Sequence, residues 1–322
     1  MSLEQYISER TIKHRDKEIY EGEYIIYWMS RDQRINDNIS FYYGFMLSKK
    51  YNKKFVVLFN IFPSFLDATI RQFDFMIKGL IELEENIIPP FVASAKQEFS
   101  AFTLRKKYEK IISKYLIEIP EIDKLTRKEK IKNETNWKSI YENLKIDKDV
   151  KISKFFEPGE KKAKETLQYF IKNKLKYYNK NRNDPNIDGL SNLSPYLHFG
   201  MISPLRVAIE VKRSDCDEEI KNAFLEELII RRELSENFCL YNENYDNENG
   251  ILNWAKMSLE SHILDKREYI CTLKQFENGE THDDLWNSCQ KETVITGKMH
   301  GYMRMYWAKI KFTKNNINTA FS

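Results

Sequence analysis

The sequence predicts an α/β N-terminal segment followed by a nearly all-helical one, and three observations carry the prediction. Residues 24–29 (YIIYWM) and 55–61 (FVVLFNI) are short β-branched and aromatic runs that read as buried strands. Each precedes a helical pattern, at about 35–50 and 66–83, and strand-helix-strand-helix order argues a parallel, Rossmann-like sheet. From Lys161 onward the apolar spacing is almost entirely helical, and residues 105–164 between the two parts mix Lys and Glu densely. A solvated helical connector explains that mixture more simply than a DNA-binding face. The expected divisions are 1–105 (α/β), 106–160 (helical connector) and 161–322 (helical).

Composition excludes several classes. The 322 residues are 42% hydrophobic and 14% aromatic, enough to bury the cores of two domains. No run approaches the ~20 apolar residues that span a bilayer, and residues 1–17 are charged without an apolar stretch, so an intracellular protein without a membrane segment is expected. Cys216, Cys239, Cys271 and Cys289 lie far apart and the histidines lack ligand spacing, which argues reduced thiols and no metal. The net charge of +4 is too small to announce a nucleic-acid binder. No Gly-x-Gly-x-x-Gly follows either strand, which disfavours an NAD-dependent enzyme.

In the helical half, residues 165–178 carry Leu167, Phe170, Ile171 and Leu175 at helical spacing, and the polar run 179–188 reads as a loop. Next comes GLSNLSPYLHFG at 189–200, followed by Ile202-Ser203-Pro204. Its two Leu-Ser pairs, closed by Pro195 and Gly200, suit a backbone cradle for an anionic group; a Ser-capped helix start is the plainer alternative. Around 224–239, Phe224, Leu225, Leu228 and Ile229 make an apolar helix face, and Glu227 and Arg231 form an (i, i+4) pair. The last informative words are THDDLWN at 281–287 and GKMHGYMRMYWAK at 297–309. As one helix they set Met299, Met303 and Tyr306 on one stripe, with His300, Arg304 and Trp307 on another, a pattern that most often means core. Gly301 would then sit inside the helix at a cost of about 1 kcal/mol.

These words resemble the class II cyclobutane-pyrimidine-dimer photolyases of the photolyase/cryptochrome family. LSNLSPYLHFG-x-IS is similar to the family's flavin-binding stretch, and THDxLWN and GKMHGxMRMYWAK match almost letter for letter. YWMSRDQR, RQFDFMIKGL and the connector KQEFSAFTLR, which ends at Arg105, resemble its N-terminal part. The resemblance implies light-driven DNA repair. Splitting the dimer breaks two carbon–carbon bonds, which acid or base catalysis cannot do, so reduced FAD must supply an electron. The dimer must also be flipped out of the duplex. The resemblance further implies that Tyr178, Arg182, Leu190, Ser191, Asn192, Leu193, Ser194 and Arg304 hold FAD. Glu227 and Met305 would meet the lesion, and Trp286 and Trp307 would relay electrons. Arg231, Arg232, Lys298, His300 and Lys309 would contact UV-damaged DNA, with the protein a monomer. Gly301 would let a base or flavin ring approach the backbone.

Two departures qualify the resemblance. After Glu85 the chain goes directly to residues 86–94, which resemble the end of the family's N-terminal domain, so that domain is expected to be reduced and its antenna pocket is in doubt. Past Lys309 the likeness ends, so a shortened flavin pocket is expected, and a truncated relative without flavin is the alternative. A cryptochrome-like photoreceptor is the third choice.

Overall fold

The computed structural model describes residues 2–12, 22–31, 33–80, 101–120, 136–262, 264–266 and 268–314. The expected segments at 86–94 and 95–100 lie outside the described residues. Packing divides the chain into two units, each discontinuous in sequence. The first is Met1–Ile152, Glu157–Lys176 and Ser191–Asn237; the second is Ser153–Phe156, Tyr177–Leu190 and Phe238–Ser322.

The first unit opens with α1 (Leu3–Glu9), capped by the Ser2 hydroxyl, which accepts from the Gln5 amide. Strands β1 (Tyr24–Met29) and β2 (Lys54–Phe59) pair in parallel, from Tyr24 opposite Lys54 to Met29 opposite Phe59. Helix α2 (Ile39–Tyr51) joins them and packs Phe41 and Phe45 edge-on against Phe55 of β2, at 5.1 and 6.2 Å. The strands are not buried as expected. Ile26 is 60% and Trp28 68% exposed. The cause is strand periodicity: α2 takes one face of a two-stranded sheet, and alternate residues point the other way.

Helix α3 (Ile70–Gly79) begins later than its apolar pattern suggests, because Thr69 and Gln72 form a capping box that fixes the start. Phe73 and Ile77 pack with Leu144, which follows α5 (Trp137–Asn143); α4 (Ala101–Tyr108) precedes that helix and buries Leu104 and Tyr108. A Cβ at Gly79 would collide with the Met201 side chain, so glycine is what lets the end of α3 lie on Met201. Helices α6 (Glu160–Asn173), α7 (Ser194–His198), α8 (Pro204–Arg213) and α9 (Glu218–Leu225) come next. A π-helical turn at Glu226–Arg231 then leads into α10 (Arg232–Tyr241). Leu167 and Phe170 of α6, Val207 and Val211 of α8, and Phe224, Leu228 and Ile229 are all buried.

The second unit contains α11 (Asn253–Ser261), α12 (Leu273–Asn278), α13 (Asp284–Thr296) and α14 (Gly301–Lys314). Trp286 packs with Cys271 and Phe276, and Cys289 with Met299 and Met303; Tyr306 and Trp307 lie against both groups. All four cysteines are free thiols. Among the described residues no helix is long and apolar enough to cross a membrane, and no His, Cys, Asp and Glu side chains gather as a metal site would require.

Candidate functional site

The second unit holds a stacked pair of indoles. Asp283 caps α13 by accepting from the Trp286 amide at 2.9 Å, which fixes the first turn of that helix. Trp286 is fully buried and stacks on Trp307 of α14, with ring centroids 5.5 Å apart and planes 14° from parallel. Both indole N–H groups are anchored: Trp286 donates to the Trp307 carbonyl at 3.0 Å, and Trp307 to Gln290 Oε1 at 3.1 Å. Two indoles held face to face in this way make a specific aromatic contact beyond simple area burial. Tyr306 donates to Asp283 Oδ2 at 2.7 Å, and this bond, with burial, pushes the phenol up to about 12. Sequence reasoning missed the Tyr306–Asp283 bond, although both residues stand inside the two words it singled out.

α14 begins at Gly301, not before it, because Gly297 in a left-handed conformation (φ 78) ends α13 and the chain must turn again. Lys298, Met299 and His300 therefore precede the helix, and the expected single stripe is broken. Gly301 lies in the first turn, so the expected mid-helix cost does not apply, and the space around its Cα is open. His300 is buried and accepts from the Tyr302 amide through Nδ1, while its Nε2 has no hydrogen-bond partner among the described residues. Burial, with Lys298 nearby, holds this imidazole below its ordinary pKa. Lys298 lies 4.9 Å above the Phe155 ring. Arg304, Met305 and Lys309 are exposed, Met305 at 63%, and Arg304 Nε donates to the Met299 carbonyl at 3.1 Å.

In the same unit Tyr178 is buried in the one-turn helix Tyr178–Asn181, with the Arg182 guanidinium 5.6 Å from its ring centre. Gly189 closes the adjoining loop against that turn. A Cβ there would come 2.8 Å from the Asn181 carbonyl oxygen, so only glycine brings the chain this close before Leu190.

Ser191 to Ser194 belong to the first unit. Asn192 adopts a left-handed conformation (φ 60), Leu193 is fully buried, and the Ser191 hydroxyl accepts from the Leu193 amide at 3.4 Å. Ser194 is already helical and Leu193 takes the cap position without a side-chain bond. The Ser-capped alternative therefore fails at Ser194; the serine that caps a helix here is Ser203, before α8.

The expected Glu227–Arg231 pair is also corrected. Arg231 Nε lies 3.6 Å from Glu226, because a π turn brings residues five apart, not four, onto one side. Arg105 of α4 grips the same carboxylate with Nε at 2.8 Å and Nη2 at 2.5 Å, while Glu227 is exposed. Arg232 turns inward to Glu233 at 3.0 Å and Glu236 at 3.5 Å. Glu233 is fully buried and accepts from the Tyr108 hydroxyl at 3.3 Å; desolvation outweighs these partners and raises its pKa to about 7. Glu236 is in turn held by Arg31 at 2.6 and 3.1 Å.

The structure thus groups Tyr178, Arg182, Leu190, Arg304, Trp286, Trp307, Met305, Lys298, His300 and Lys309 in one unit. Ser191, Asn192, Leu193, Ser194, Glu227, Arg231 and Arg232 belong to the other.

The described residues thus form a small parallel α/β element, a largely helical remainder and a stacked tryptophan pair. No protein-family model matches the chain. Among curated proteins, deoxyribodipyrimidine photo-lyase from Potorous tridactylus is 36% identical over 357 residues, covering 90% of this chain and 67% of that protein. The enzyme of the same name from Arabidopsis thaliana is 35% identical, covering 90% and 74%. That from Methanothermobacter thermautotrophicus is 30% identical, covering 89% and 77%. An archaeal photolyase structure from Sulfolobus tokodaii covers 92% of this chain and 81% of its own, at 18% identity and a TM-score of 0.45, too loose a likeness to argue from. The chain belongs to the deoxyribodipyrimidine photo-lyase family.

Proposed function

We propose that this chain repairs cyclobutane pyrimidine dimers in DNA under light, as a photolyase of the class II kind with FAD as its cofactor. The observation that carries the reading is the anchored stack of the fully buried Trp286 on the half-buried Trp307. Reduced FAD, when bound, supplies on illumination the electron that dimer cleavage needs. The residues present fit that group. Gly189 packs its loop directly on the Tyr178–Asn181 turn, Asn192 turns the backbone through a left-handed conformation, and Arg304 is exposed.

On this reading Tyr178, Arg182, Leu190 and Ser191 to Ser194, with Arg304, hold the cofactor. Trp286 and Trp307 provide the electron path. Glu227 and Met305, both exposed, recognise the flipped-out dimer, the first by hydrogen bonding and the second by apolar contact. Arg231, Lys298 and Lys309 meet DNA phosphates, while Arg232 and His300 support that surface from the interior. The protein acts as an intracellular monomer.

The test is reconstitution with FAD, photoreduction, and illumination with a dimer-containing oligonucleotide. Flavin absorption with light-dependent loss of the dimer, absent in the dark, is expected. A folded preparation that binds no flavin overturns the reading; flavin binding without repair in light favours a photoreceptor.

A further inference from the structure

The connector contributes an arginine to which the reading above gives no task. Arg105 covers both oxygens of Glu226, Nε at 2.8 Å from Oε2 and Nη2 at 2.5 Å from Oε1, the paired geometry in which a guanidinium is stronger and more directional than an ammonium. Glu226 opens the π turn Glu226–Arg231, and Arg231 reaches it from the turn's other end. π turns are rare and recur at functional sites, since a wider turn persists only where surrounding contacts hold it.

The turn has a directional consequence. One residue more per turn rotates the helix beyond it by about 100° relative to an unbroken α-helix. Here it buries Leu228, Ile229 and Ile230 consecutively, which a single apolar stripe on an α-helix would not do. It also draws Arg231 to Glu226 instead of to the (i, i+4) position, Glu227, which stays on the exposed side. The direction of Glu227 is therefore set by its neighbour's grip on another helix.

We propose that Arg105 is a positioning residue for lesion recognition: by clamping Glu226 it maintains the π turn and so aims Glu227 at the dimer. The inference rests on the proposed contact between Glu227 and the dimer.

The experiment compares R105K, E226Q, E227Q and the R105K/E227Q double variant, each loaded with FAD. Binding to a dimer-containing oligonucleotide is measured against the undamaged oligonucleotide of the same sequence, with flavin content and unfolding midpoint recorded. R105K and E226Q should each lose about tenfold in preference for the damaged strand. Affinity for undamaged DNA and flavin content should hold, and the double variant should lose little more than E227Q alone, as coupled residues do. Wild-type preference in E226Q or R105K, or losses that add in full in the double variant, overturns the clamp. Should R105K not fold, E226Q, which keeps size and shape, decides alone. Wild-type protein indifferent to the dimer overturns the repair reading and the clamp with it; loss in E227Q without loss in E226Q overturns the clamp alone.

Discussion

Glu233 shows what a single position can do that its letter does not announce. It reads as one more charged residue on an amphipathic helix, yet it is fully buried between Arg232 and Tyr108, with Glu236 and Arg10 also within electrostatic reach. Desolvation raises its pKa from an ordinary 4.5 to about 7, so the folded protein holds this proton more tightly than the unfolded chain does. The stability it contributes is complete below the unfolded value and is lost as pH rises through the folded one, a change of about 3 kcal/mol. Glu233→Gln cannot ionise, so the fall in unfolding free energy between about pH 5 and about pH 8 should shrink by that amount. Urea unfolding at both pH values checks this, and an undiminished fall in the variant would place the titrating group elsewhere. Trp286 and Trp307 were legible as individual residues where Glu233 was not, because they stand in words specific enough to be recognised. Burial of one carboxylate is a property of how α10 packs with α4 and leaves no mark on the residues around it.

Elements follow local rules until a neighbour intervenes. α13 starts where Asp283 dictates, and the same carboxylate receives the Tyr306 hydroxyl from α14, so one residue fixes both a helix end and the helix that stacks on it. Asp283→Ala should cost about 2 kcal/mol, at the upper end for a cap because a second bond is lost. It should also shift Tyr306 titration, read from tyrosinate absorbance, down from about 12 toward its ordinary value. A stability loss without that shift would mean that the Asp283–Tyr306 bond is not formed in solution. Strand and helix order, the caps at Thr69 and Asp283, and the stops at Gly279 and Gly297 all follow from sequence-local chemistry. The π turn does not: the letters of 224–234 fit an ordinary α-helix, and Arg105, over a hundred positions earlier, is what holds Glu226 in another register. The break between Gly297 and Gly301 was missed for a related reason, since a short run of helix-compatible residues hides a turn made by the backbone alone.

For the whole molecule, a charge of +4 means that DNA affinity must come from a few well-placed cations instead of a broad positive field. Binding to undamaged DNA should weaken as salt rises, and Lys309→Ala, at an exposed position outside the core, should lower the slope of log affinity against log salt by about one unit. An unchanged slope would remove Lys309 from the phosphate contacts. The sheet belongs to this scale as well. Two parallel strands covered by α2 on one side leave Ile26 and Trp28 exposed, although their composition is that of a buried strand. Composition registers what a strand prefers, whereas burial depends on how many layers the rest of the chain supplies.

By itself the sequence determined the order of strands and helices, the helix ends set by their own caps, and the family, because each rests on adjacent residues or on words long enough to be specific. The tertiary structure alone decided which charges face inward, that Arg231 answers Glu226 and not Glu227, and that two indoles separated by a turn and a helix meet face to face. Those outcomes depend on contacts between residues far apart in the chain, whose energies exist only once packing has expelled water from between them.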